Sequence, residues 1–266
     1  MTPFNLHRAK SIEDAAAAFK TAEEARFLAG GQTLIPVLKQ RLAAPSDLVS
    51  LAGINGLAGV SIDDGKVVVG AMTRHADVAA NEDIRRLIPA LAHLAGGIGD
   101  PHVRNRGTMG GSLANNDPAA DYPAAVLGLG ATIVTDRREI AGDDYFQGLF
   151  TTALEEGEMI TRIVYPVPEW AGYVKMPNPA SRYCLVGVMV SKGPAGVRVA
   201  VTGAGQDGVF RVPDMETRLE ASFAPDALAG VKVPADGLMS DMHAGADYRA
   251  HLIGVIARRA SAKAIA

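Results

Sequence analysis

The chain of 266 residues has a single cysteine, Cys184. That excludes an internal disulfide, a cysteine-built zinc site and a [2Fe–2S] cluster held by this chain, which would need four ligands. Net charge is only −3. It gives no basic field of the kind that nucleic acids or anionic membranes select. No apolar run reaches the roughly 18 residues of a membrane-spanning helix. The N-terminus, MTPFNLHRAKSIEDA, has no apolar core of a signal peptide, so a cytoplasmic location is expected. There is no Ser/His/Asp triad, no motif of paired carboxylates and no zinc spacing. His75, His93, His102, His243 and His251 show no ligand pattern, and His7 lies in a terminal segment. Only His102 adjoins a stretch with chemical promise.

What is present suits a globular fold. Apolar residues make up 48% and charged residues 21%, enough to bury a core. Strand and helix patterns alternate, which predicts an α+β chain. The first unit, 1–55, has a helix capped by Ser11, a strand over 25–28, a helix over Leu34–Lys39 with Pro36 in its first turn, and a strand over 48–51. The second, 56–170, opens with strands over 57–62 and 66–70 joined by Asp63-Asp64-Gly65. A short helix capped by Thr73, one helix over Glu82–Ala95 and another over Ala119–Leu127 follow. Strands are expected at 131–134, 139–140 and 159–165. The third unit, 171–266, has an antiparallel pair, 183–191 and 197–204, and helices over 215–221 and 248–264. Tyr248, Leu252, Val255, Ile256 and Ala260 form the apolar face of the last helix.

Two glycine pairs stand out. In ARFLAGGQTLIPVLK a strand runs into Gly30-Gly31 and then into a helix, an arrangement that can offer helix N–H groups to an anion. In RNRGTMGGSLANNDPAADYP the pair Gly110-Gly111 lies between Thr108 and Ser112, and the run closes on Asp121. Glycines permit close approach and positive φ, successive N–H groups can form an anion-binding concavity, and the hydroxyls can donate to phosphate. Asp121 is an acceptor of the kind that binds ribose. Either pair alone also fits a plain glycine turn.

The segments AGGQTLIPVLK (29–39) and TMGGSLANNDPAADYPA (108–124), in this order and spacing, resemble the FAD-binding medium subunit of molybdenum hydroxylases, the carbon monoxide dehydrogenase and xanthine dehydrogenase family. GEMITRIVYPVP (157–168), YVKMPNPASRYCLVGV (173–188) and DMHAGADYRAHLIGVIARRA (241–260) extend the resemblance over nearly the whole chain. It implies a two-part FAD-binding domain of the p-cresol methylhydroxylase and vanillyl-alcohol oxidase type, followed by a small C-terminal α+β domain with an antiparallel sheet. It also implies a first pyrophosphate cradle from Ala29, Gly30, Gly31, Gln32, Thr33, Leu34 and Pro36. Thr108, Gly110, Gly111 and Ser112 would form the second. Asp121 would hold the adenosine part, and the backbone near Ile160 would meet the adenine. Lys175 would lie near the cofactor and Tyr183 beside the isoalloxazine ring.

Ser112 replaces the usual asparagine, and Asn115-Asn116 replace the common histidine-alanine. Gln32 stands where relatives in the wider fold carry a flavin-linking histidine, so non-covalent FAD is expected. No residue of this chain is expected to be catalytic or to bind a metal. The molybdenum cofactor and [2Fe–2S] clusters would belong to a large and a small partner subunit, in a heterotrimer or a dimer of heterotrimers. The polar run Asn115-Asn116-Asp117 is a candidate docking rim. The competing expectations are a self-sufficient flavin reductase or oxidase of the same fold and a non-redox nucleotide-binding scaffold.

Overall fold

The computed structural model describes residues 1–194 and 196–265. Three short strands, Asn5–Arg8, Asp47–Ser50 and Ala25–Leu28, form a parallel sheet in that spatial order. Parallel strands need crossovers, and the helices Ile12–Thr21 and Leu34–Lys39 lie in the two connections. Ser11 caps the first helix by accepting the Asp14 N–H at 3.1 Å. Phe19 on that helix stacks on Phe27 of the sheet with ring centroids 4.7 Å apart.

The second sheet has five antiparallel strands in the order Val60–Asp63, Lys66–Gly70, Ile160–Pro166, Thr132–Thr135, Glu139–Ala141. Helices carrying Leu91, Leu94, Val126 and Leu129 share its core. The third sheet, also antiparallel, runs Trp170–Pro177, Cys184–Gly193, Gly196–Gly205, Gly208–Arg211. The long helix Ala246–Ala264 and the helix Tyr122–Leu129 both pack on it. Tyr122–Leu129 therefore binds the second sheet's core to the third sheet. Gly128 makes this possible, because a Cβ there would lie 2.5 Å from the Met189 Cγ. Two buried polar side chains lock the same seam. Ser191 Oγ donates to the Gly128 carbonyl, and Arg198 donates to the Leu127 carbonyl at 2.7 Å while pairing with Asp143 at 2.6 Å.

Several elements differ from the sequence pattern. The helix expected over Glu82–Ala95 is two helices, Glu82–Leu87 and Pro89–Gly96. Pro89 lacks an N–H and pushes Ile88 out of the helical region, to φ −139°. The helix expected to begin at Ala119 begins at Tyr122, because residues 117–120 form a turn held by Asp117 Oδ1. The expected face of the last helix is rotated. Leu252, Ile253, Ile256, Ala257 and Ala260 are buried, while Tyr248 is 47% exposed. The strands Asn5–Arg8, Trp170–Pro177 and Gly208–Arg211 are additional to those the pattern predicts.

Candidate cofactor site

The first glycine stretch leaves the strand Ala25–Leu28 and enters the helix Leu34–Lys39. Gly31 makes the turn at φ +73°, a left-handed conformation that side chains disfavour. Among the described residues, the backbone N–H groups of Gly30, Gly31, Gln32, Thr33 and Leu34 have no hydrogen-bond partner within the chain. The helix itself begins only with the N–H of Ile35 donating to the Gly31 carbonyl at 3.1 Å. Pro36, in the first turn, has no N–H to leave unpaired. Five consecutive free donors, none of them in a buried residue, are thus available to a ligand.

The second stretch is different. Residues 109–115 are a short helix, not the open loop that the glycine pair suggests. Thr108 is its N-cap and accepts the Gly111 N–H at 3.2 Å. The N–H of Met109 donates to the Thr73 carbonyl, that of Gly110 to the Ala71 carbonyl, and that of Ser112 to the Thr108 carbonyl, at 2.8–3.0 Å. Four successive donors expected for an anion are thus used inside the protein. Gly110 is present for space, since its Cβ would lie 2.6 Å from the Ala71 Cβ. At Gly111 a Cβ would lie 2.8 Å from the capping Thr108 Oγ1 and 3.4 Å from the Ala29 Cβ of the first stretch. The stretches also meet at Gly30, where a Cβ would lie 2.1 Å from the Arg106 carbonyl oxygen. The sequence brings two glycine pairs eighty residues apart into direct contact.

A second group of expected residues lies together elsewhere. Asp121 is 5% exposed. Its carboxylate accepts the Tyr173 hydroxyl at 2.6 Å and pairs with the Lys175 ammonium at 2.9 Å. Burial raises the Asp121 pKa, and Lys175 and Tyr173 oppose that rise. Lys175 also donates to the Arg182 carbonyl at 3.2 Å, which ties it to the turn before Tyr183. Tyr183 is 57% exposed. Ile160 is buried at the start of its strand, and neighbouring Met159 packs into the core of the first unit. That segment therefore lies where the first two units meet.

Three side chains have roles that the sequence does not reveal. Tyr173 is the buried partner of Asp121. Asn116 was grouped with an exposed rim, yet it is 2% exposed and left-handed at φ +44°. Its amide donates to the Gly148 and Thr151 carbonyls at 2.9 and 2.8 Å, clamping the hairpin Phe146–Gly148 and Thr151–Thr152. His75 lies beneath the second stretch, with its N–H on the Gly107 carbonyl and its Nε2 2.5 Å from where a Gly107 Cβ would be. Burial and the nearby Arg104 charge push its pKa down to about 4. His102, by contrast, is exposed. No linear signal marks any of these three, because each partner is remote in sequence.

Residues 2–168 match the family described as the FAD binding domain in molybdopterin dehydrogenase. The chain belongs to this family. Its relatives extend the likeness past the FAD-binding domain to the C-terminal sheet. The carbon monoxide dehydrogenase medium chain of Afipia carboxidovorans is 35% identical, covering 98% of this chain and 96% of that protein. The nicotine 6-hydroxylase medium subunit of Paenarthrobacter nicotinovorans is 36% identical over 94% and 93%. Among solved structures, reconstituted CO dehydrogenase from Oligotropha carboxidovorans superposes with a TM-score of 0.89 at 33% identity, covering 98% and 97%. This FAD-binding oxidoreductase subunit thus keeps the medium-chain fold from end to end. Among the described residues, no helix is long and apolar enough to cross a membrane.

Proposed function

We propose that this chain is the FAD-carrying electron-transfer subunit of a multi-subunit molybdenum hydroxylase. It takes electrons from a [2Fe–2S] subunit and passes them to an external acceptor. The observation that carries the reading is the run of five free N–H groups at residues 30–34, pressed against a second glycine stretch. That donor set suits a diphosphate. Ala29, Gln32, Thr33, Leu34 and Pro36 complete the cradle, with Gly111 as its opposite wall and the Thr108 and Ser112 hydroxyls at its side. The Met159–Ile160 backbone, at the seam of the first two units, suits the adenine. Asp121 joins Lys175 and the Tyr183 turn, so we assign it to the isoalloxazine end and not to the adenosine ribose. FAD bound there, without a covalent link, supplies the redox chemistry, while the chain supplies orientation and a shielded wall.

The names of the relatives, medium chain and medium subunit, support a large molybdenum-cofactor partner and a small iron–sulfur partner, in a cytoplasmic heterotrimer or its dimer. The three sheets support units at 1–55, 56–170 and 171–266. The purified chain should hold one FAD that acid precipitation releases. Loaded with FAD, it should not oxidise aldehydes or N-heterocycles with an artificial acceptor until both partners are added. Sustained turnover by the chain alone would replace the reading with a self-sufficient flavoenzyme. Gly111→Val should lose FAD while the fold persists, because its branches enter the gap between the stretches. Unchanged flavin content in that variant would remove the second stretch from the site.

A further inference from the structure

The turn that carries Tyr183 is not self-supporting. It closes with the Asn178 N–H on the Tyr183 carbonyl at 2.8 Å and the Arg182 N–H on the Asn178 carbonyl at 2.9 Å. Asn178 Oδ1 also accepts the Ala180 and Ser181 N–H groups at 2.9 and 3.2 Å. Arg182, however, is left-handed at φ +62°, a conformation that disfavours a non-glycine residue. The turn lies outside the sheet, between Trp170–Pro177 and Cys184–Gly193. Two side-chain contacts tie it to the rest of the chain: the Lys175 ammonium on the Arg182 carbonyl, which reaches the buried Asp121, and the Asn178 amide at 3.2 Å from the exposed His243 ring.

An ammonium has three N–H donors. Two of them go to Asp121 Oδ2 at 3.1 Å and the Arg182 carbonyl at 3.2 Å, and the ammonium also lies 2.9 Å from Asp121 Oδ1 as an ion pair. Asp121 is fixed in turn by the Tyr173 hydroxyl. Tyr173 is buried on the same strand as Lys175, so the carboxylate cannot follow the ammonium if the turn moves.

We propose that Lys175 is a positioning residue: braced by Asp121 and Tyr173, it holds the Arg182 carbonyl and so sets the turn that presents Tyr183 to the cofactor ring. The chain Tyr173–Asp121–Lys175–Arg182 carries the rigidity of the buried core out to a half-exposed aromatic. This rests on the FAD reading for what Tyr183 faces, but the latch itself exists without cofactor.

Two measurements on the full-length chain test it separately. In the flavin-free protein, amide hydrogen exchange across residues 178–183 should quicken about tenfold in Lys175→Met, the effect of one lost charge-assisted hydrogen bond. Exchange in the core strands should be unchanged. Lys175→Arg, which can keep both the ion pair and the carbonyl contact, should restore slow exchange. Asp121→Asn, isosteric and uncharged, should fall between wild type and Lys175→Met. Exchange in Lys175→Met equal to wild type would overturn the latch whatever the cofactor is. In the FAD-loaded protein, a tyrosine packed on the ring quenches flavin fluorescence. Tyr183→Leu should restore emission, Lys175→Met should reproduce much of that rise, and Lys175→Arg should not. A Tyr183→Leu rise with no rise in Lys175→Met would show that Lys175 does not set the tyrosine. No change in Tyr183→Leu would instead overturn the placement of Tyr183 at the ring, leaving the exchange result to decide the latch.

Discussion

The two glycine pairs look alike in sequence and do opposite work. Gly30-Gly31 lies in an open turn with one residue left-handed and five free N–H groups beside it. Gly110-Gly111 lies in the first turn of a helix, its neighbouring N–H groups all paired, with one glycine against Ala71 and the other against the first turn. In the first stretch Gly31 is needed for backbone conformation, while Gly30, whose Cβ would lie 2.1 Å from the Arg106 carbonyl oxygen, is needed for space. In the second, neither glycine is left-handed and both are needed for absent volume. A cradle built this way has one donor wall and one packing wall, so substitutions in the two stretches should fail in different ways.

Within the second pair the largest expected effect is at Gly110. A valine there would drive its Cβ into the Ala71 side chain and carbonyl, at 2.6 and 2.9 Å. Both neighbours are fixed, since Ala71 is in the core and its carbonyl accepts the Gly110 N–H. Overpacking of this kind costs about 3 kcal/mol. Gly110→Val should therefore lower the denaturation midpoint before any effect on flavin can be read. A midpoint equal to wild type would mean that the packing wall yields.

The next effect separates the stretches by pH. Only the second has a buried histidine beneath it. The folded pKa of His75, about 4, lies below its ordinary value of 6.5. The unfolded chain therefore takes the proton first, and stability is complete above about pH 6.5 and falls as the pH drops toward 4. Between pH 7 and pH 5 the loss is about 2 kcal/mol. His75→Gln, with no group to titrate, should be less stable than wild type at pH 7, and the gap should close by pH 5. A gap independent of pH would show that His75 titrates normally in the fold.

These contrasts also mark what the sequence could reveal. The first stretch was legible because strand, glycine pair and helix are consecutive and each signal is local. The family likeness carried the pairing of the two stretches, and the helix Leu34–Lys39 with Pro36 in its first turn is as expected. The helix over residues 109–115 was not legible. Two glycines weaken any local helical preference, and what stabilises the helix is the remote contact with Ala71 and Thr73. The same holds for Asp121. The sequence marked it as an acceptor, but only the fold brings Tyr173 and Lys175 onto its two oxygens and moves it toward the Tyr183 turn. Asn116 was read as polar and therefore exposed. Its left-handed backbone and two carbonyl partners over thirty residues away bury it instead.

The smallest effect is the sharpest test of the contrast, because it compares two side chains at one position. At Gly31 the conformation, φ +73°, penalises alanine by about 1 kcal/mol. Space is a lesser obstacle, since a Cβ would lie 3.0 Å from the Ile35 Cγ1, part of a half-buried side chain that can shift. Asparagine is larger than alanine but tolerates the left-handed region, because its short amide can bond to the local backbone. Gly31→Asn should therefore be more stable than Gly31→Ala, and the turn should keep its free donors and its flavin in both. At Gly110, where volume decides, the order should reverse, with alanine tolerated better than asparagine. Chemical denaturation of the four variants gives both orders. If asparagine is worse than alanine at both positions, Gly31 is also limited by space and the distinction between Gly31 and Gly110 fails.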